Sequence, residues 1–172
     1  MNWNYKELLP ADFDAGSRVW IYQANRVFAL SEALMIEAKL EDFISTWQAH
    51  GAKVKGYANL FFGQFIVLIA DETKTGVSGC STDSSVRVIK EIEQHTGVSL
   101  FDRQLLAFVI KDKVQVLPLA QLNYSVENGF IDGNTIYFNN LVATKGELET
   151  SWMQPLRNSW LSRRVQLPAG KE

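Results

Sequence analysis

The chain has one cysteine, two histidines and four prolines in 172 residues, and no apolar run longer than the six residues typified by Phe65 to Ala70. Each scarcity excludes something. A lone cysteine cannot form an internal disulfide. A six-residue apolar run falls far short of the ~20 residues that cross a bilayer. Basic and acidic residues nearly balance, with net charge −2, so no overall positive field gathers nucleic acid or an anionic membrane. The opening Met1-Asn-Trp-Asn-Tyr-Lys-Glu7 lacks the charged-then-apolar design of a signal peptide. These absences predict a soluble protein of the reducing cytoplasm that partners neither membrane nor nucleic acid.

What is present fits a packed domain. Apolar residues make up 47% and charged residues 21%, the balance of a chain that folds. Five Trp and ten Phe supply a large core, and the length suits one domain over residues 1–172. Residues 1–17 read as a lead-in punctuated by Pro10 and Gly16, residues 18–117 as the core, 118–167 as a C-terminal extension and 168–172 as a frayed tail.

Arg18 to Asn25 is rich in β-branched and aromatic types and predicts a strand. Ile36, Leu40, Phe43, Ile44 and Trp47 then recur at helical spacing, with Ser31 as N-cap, Glu32 in the first turn and Gly51 as the stop. Val54 to Leu60 and Phe65 to Ala70 predict a hairpin, the second strand central because it holds almost nothing polar. A second helix carries Val86, Ile89 and Ile92 and stops at Gly97. Leu105 to Ile110 and Val114 to Leu117 make another hairpin. A short helix is expected within Pro118 to Glu127, and a last strand over Thr135 to Phe138. Beyond Gly146 two helical pieces split at Pro155 would carry Trp152 and Trp160 on one face, with Arg157, Arg163 and Arg164 solvated.

This order predicts an α+β protein, a ferredoxin-like split β-α-β core with extra strands and a C-terminal helical appendage. With the third strand between the first two, Arg18, His50, Lys53, Asp71, Glu72 and the loop of Cys80 fall on one edge of the sheet.

That loop, Thr75 to Val86, is the natural place for chemistry. Its Gly76, Ser78, Gly79, Ser81, Thr82 and Asp83 offer amides near the positive end of a helix, a ready anion site. Asp83 or Thr82 as N-cap would instead occupy those amides. Cys80 stands just before the helix, where the dipole favours thiolate. A thiol mechanism needs a base, and His95, about twelve helical residues away at ~1.5 Å each, is out of reach. That leaves His50 as base and Asp71 or Glu72 as orienter, against the alternative that Cys80 is an inert core residue. The same four types suit a metal, but no close ligand spacing marks one, and neither metal nor cofactor is expected.

The segments R-V-W-I-Y-Q-A-N-R (18–26), F-I-V-L-I-A-D-E (65–72), S-G-C-S-T-D-S-S-V (78–86), F-D-R (101–103) and F-N-N-L-V (138–142) resemble a family of small bacterial proteins without established function. Many of its members carry the automatic label "ABC transporter ATPase". The motifs here refuse that label. Phe65 to Glu72 is like a Walker B strand, and Val77 to Ser81 faintly echoes the ABC signature, but in the reverse of the ATPase order. No G-x-x-x-x-G-K-[ST] exists; Gly51-Ala-Lys-Val-Lys-Gly56 runs on into Tyr57-Ala58.

Two functions stay open at this point. One is a non-catalytic binding or interaction protein, a homo-oligomer being compatible, whose loop 75–86 is structural or holds a small anion or a protein partner. The other is a thiol enzyme or redox sensor centred on Cys80. The absence of a complete catalytic set favours the first.

Overall fold

The computed structural model describes residues 2–49, 51–71 and 79–167, the last stretch in backbone only for 79–81. After one turn of 3-10 helix at Tyr5–Leu8 the chain runs through β1 (Arg18–Gln23) and α1 (Leu30–Thr46). A two-rung hairpin follows, β2 (Gln48–Ala49) and β3 (Ala52–Lys53), then β4 (Lys55–Phe61) and β5 (Phe65–Asp71). Next come α2 (Gly79–Thr96), β6 (Leu105–Ile110), β7 (Lys113–Pro118), α3 (Leu122–Glu127) and β8 (Ile136–Phe138). The described chain closes with α4 (Lys145–Ser151), β9 (Met153–Pro155) and two 3-10 turns at Leu156–Asn158 and Trp160–Arg163. No helix among these residues is long and apolar enough to cross a membrane.

The protein is α+β, built in four layers. β5 lies between β1 and β4, antiparallel to both, and every one of its residues is buried. Its Ile66 and Leu68 pack with Ile36 and Leu40 of α1 and Ile89 and Ile92 of α2. Its Phe65, Val67 and Ile69 turn the other way, onto a second sheet ordered β7-β6-β8-β9. The alternation of side chains along a strand is what lets one strand serve both layers. The outer face of the second sheet, Leu106, Phe108 and Tyr137, is covered by Leu122 and Val126 of α3 and by Leu156 and Leu161.

The first three core strands therefore have the order of a split β-α-β unit. The strand after α2, which would complete the same sheet, instead pairs with β7 and β8 in the second one. Its place beside β1 is partly taken by Ala143, whose carbonyl accepts the Val19 amide at 2.9 Å. The C-terminal stretch is also more than a helical appendage. Residues 153–155 form a strand against β8, which puts Trp152 in the inter-sheet core and Trp160 among the outer residues, not on one helix face.

Helix α1 starts two residues earlier than its sequence cap suggests. Ala29, in extended backbone, sits at the cap, and Ser31 is inside the helix. The Glu32 carboxylate accepts the Ala29 amide at 2.7 Å and both Arg26 nitrogens at 2.8 Å. The Arg26 hydrogen bonds, then the backbone one, hold Glu32 down to about 2 from an ordinary 4.5. A carboxyl depressed in the folded state contributes stability above its unfolded value and loses it as pH falls through the folded one. Glu32→Gln is thus expected to be less stable than the parent near pH 6, the gap closing between pH 4.5 and about 2. Urea midpoints at the two ends check this; a gap that does not change with pH refutes it.

Candidate functional site

The sheet end singled out by the sequence is real where it is described. Arg18 pairs in register with Ala70, and Lys55 with Asp71. Asp71 is nearly fully buried, and its carboxylate accepts from the Lys55 ammonium at 3.1 Å. That ammonium also donates to the Asp12 carbonyl at 2.6 Å, faces the Asp12 carboxylate at 3.0 Å and lies 4.5 Å above the Phe13 ring. Asp12, ahead of Asp71, raises the Lys55 ammonium above its usual range, and Lys55 in turn lowers Asp12. The Arg18 guanidinium sits 5.7 Å from the Trp20 ring centroid. Asp71 thus forms an ion pair with Lys55 at the end of an antiparallel strand pair.

His50, Glu72, Gly76 and Ser78 lie outside the described residues. The β2–β3 hairpin pairs Gln48 with Lys53 and Ala49 with Ala52, and its β2 packs against α2. The helix begins at Gly79, so Cys80 and Ser81 belong to its first turn and not to a preceding loop. Asp83 is inside α2, not its N-cap; its side chain is exposed and its amide is directed by helical geometry to the Gly79 carbonyl. The Thr82 carbonyl accepts from the buried Ser85 hydroxyl at 2.7 Å. An anion at this terminus would thus rely on residues before Asp83. His95, on the same helix as Cys80, uses Nδ1 on the Glu91 carbonyl at 2.7 Å. Among the described residues no three His, Cys, Asp or Glu gather in a metal-holding group.

A cavity also lies along the outer edge of β1. Val19 gives its amide to Ala143 and Asn25 gives its amide to Ser99, while Ala24 bonds inward to Gln64. Successive strand residues alternate sides, so the backbone groups of Ile21 and Gln23 point outward, between these two bridges. No partner for those two amides occurs among the described residues. They face a cleft of about 290 Å³ lined by Trp20, Tyr22, Phe101, Asp102, Arg103 and Trp160, among others.

The cleft is held by an amide network. Asn140 donates to the Gln23 side-chain oxygen at 2.8 Å and accepts from the Trp152 indole at 3.0 Å. Gln23 donates onward to the Leu105 carbonyl at 3.3 Å. Burial lifts the Tyr22 hydroxyl above its usual range, opposed by a hydrogen bond with Ser85 and by the charge of Arg103. Tyr22 so connects the cleft to the second turn of α2. Asp102 is occupied by the Gln104 amide at 2.8 Å; Arg103 is exposed and has no acidic partner among the described residues. Gln23, Arg103 and Asn140 lie within the segments 18–26, 101–103 and 138–142, to which the sequence alone assigns no site role. A glutamine at the end of an otherwise apolar strand was the available signal, since a buried polar residue is the informative exception. Comparison with protein-family models, with curated proteins and with solved structures finds no match to this chain.

Proposed function

We propose that the protein is a non-catalytic binding protein of the cytoplasm, and that its ligand is a small planar anion seated in the β1-edge cleft. The observation that carries this reading is the cleft's chemistry: aromatic walls from Trp20, Phe101 and Trp160, an unopposed Arg103 at the mouth, and two outward backbone amides. A few convergent polar groups in an apolar cavity are what a small-molecule site requires. A thiol function for Cys80 and His50 is the alternative, supported by the packing of the β2–β3 hairpin against α2.

One measurement separates them. Native mass spectrometry of gently purified protein, before and after brief iodoacetamide at near-neutral pH, is expected to show a small adduct and an unmodified Cys80. Arg103→Ala is expected to shed that adduct by tenfold or more in apparent affinity, about 1.4 kcal/mol or more. No adduct, or one that Arg103→Ala retains, overturns the proposal; rapid alkylation of Cys80 favours the thiol reading.

A further inference from the structure

The opposite edge of the same sheet carries a second opening. In β4 the residues facing β5 are Lys55, Tyr57, Asn59 and Phe61, because β5 gives its even-numbered backbone groups to β1. Val54, Gly56, Ala58 and Leu60 therefore point outward. Both ends of this series are closed: the Val54 amide bonds the Trp47 carbonyl at 3.0 Å, and the Leu60 amide bonds the Asn59 side-chain oxygen at 2.8 Å. Between them Gly56 and Ala58 present amides and carbonyls with no partner among the described residues. An edge left this way is a template for another strand.

The wall beside this edge is acidic. Glu37, Leu40, Glu41 and Ile44 of α1 line a groove of about 370 Å³ with Gly56 to Asn59. Glu37 and Glu41 are exposed, one helical turn apart, and neither has a basic partner among the described residues. The nearby Lys55 is already engaged by Asp12 and Asp71, and Lys53 lines a neighbouring pocket that shares Glu41, Ile44 and Gly56 with the groove. Leu30 and Leu34, 78% and 59% exposed, continue the same helical stripe toward the β4–β5 turn. Phe28, just before α1, donates its amide to Gly63 there, which fixes that direction.

We infer that β4 accepts an extended peptide segment with basic residues at alternate positions, by strand addition. The spacing supports it: two residues of a strand advance about 6.6–6.8 Å, and four residues of a helix about 6 Å. Lysines at positions i and i+2 of an added strand, on its helix-facing side, can so meet Glu37 and Glu41. Gly56 and Ala58 keep that side of the edge thin enough for the stems. An apolar residue beyond the pair would cover Leu34. A second copy of this chain is the poorer occupant, because two-fold pairing of β4 with itself would bring four unpaired glutamates together across the seam.

The test uses a palindromic heptapeptide, two threonine-flanked lysines at alternate positions with leucine at each end, so that either strand direction can form. Fluorescence anisotropy with the full chain is expected to show saturable binding that weakens with salt. Replacing both lysines by glutamate, or combining Glu37→Gln with Glu41→Gln, is expected to weaken it at least tenfold. Methylating alternate backbone nitrogens of the peptide is expected to do the same. Equal binding by the glutamate peptide or by the double variant overturns the proposal, as does indifference to backbone methylation. Self-association through β4, seen by sedimentation and unaffected by the double variant, also overturns it in favour of a second copy.

Discussion

Trp152→Ala is expected to lower the stability of the fold by about 3–5 kcal/mol, the range of aromatic truncation in a closed core. The side chain has no exposed surface and stands where the lead-in and both sheets meet. Its ring lies 4.8 Å from that of Tyr5, 5.4 Å from Phe65, 5.5 Å from Phe138 and 5.7 Å from Phe61. No one element can close the hole, because these neighbours come from the lead-in turn (Tyr5), the β4–β5 ladder (Phe61 and Phe65) and the second sheet (Phe138). The indole also donates to Asn140, so truncation leaves an acceptor of the cleft network without its partner. Trp160→Ala is the internal comparison: that ring is only partly buried, hydrogen-bonds the Tyr137 hydroxyl at 3.3 Å and lies under Arg164. Its loss should cost about 1 kcal/mol, an ordinary substitution. Urea unfolding of the two variants decides it. Equal midpoints would mean that the inter-sheet layer is not the principal core.

The contrast between those tryptophans illustrates what a sequence can and cannot carry here. Local patterns are strong for β5, whose unbroken apolar run matches its central place, and for the turn at Lys111-Asp112, which the structure realises with both residues at positive φ. They also place Ile89 and Ile92 on the buried side of α2, but Val86, expected beside them, is only half-buried, and Val88 takes its place in the core. Periodicity says which face of an element is apolar, but not which sheet receives it. β6 therefore looked like a fourth strand of the first sheet, although it founds the second. Residues 153–155 are too few, and include a proline, to register as a strand; only their pairing with β8 makes them one. At the start of α2, glycine and hydroxyl residues favour a loop by propensity, and packing of the helix overrides that preference. The cleft was the least legible feature. It depends on which backbone groups of β1 face outward, and on meeting residues 101–103 and 140–142, nearly forty positions apart.

Gly56→Ala is expected to destabilise the protein although it adds a single methyl group. An added Cβ would lie 2.6 Å and 3.0 Å from two ring carbons of Trp47 and 3.2 Å from the Ile44 methyl. The indole has little freedom to yield. It is 1% exposed, flanked by Phe43 at 4.9 Å and Trp20 at 6.1 Å, and its own carbonyl holds the Val54 amide. Overpacking of this kind costs about 1–3 kcal/mol. Removing a glycine from the unfolded chain returns only about 0.4–1 kcal/mol, so the sign should be a net loss. Trp47→Phe in the Gly56→Ala background is expected to recover part of it, since a smaller ring relieves the contact and the two changes are then non-additive. Urea midpoints of the single and double variants measure the coupling. Its presence would show that glycine at this position answers first to the packing of Trp47 beneath β4, and that the thin edge offered to an incoming strand follows from that packing. Its absence, with Gly56→Ala as stable as the parent, would mean that the ring moves aside and that the edge owes its shape to something other than the core behind it.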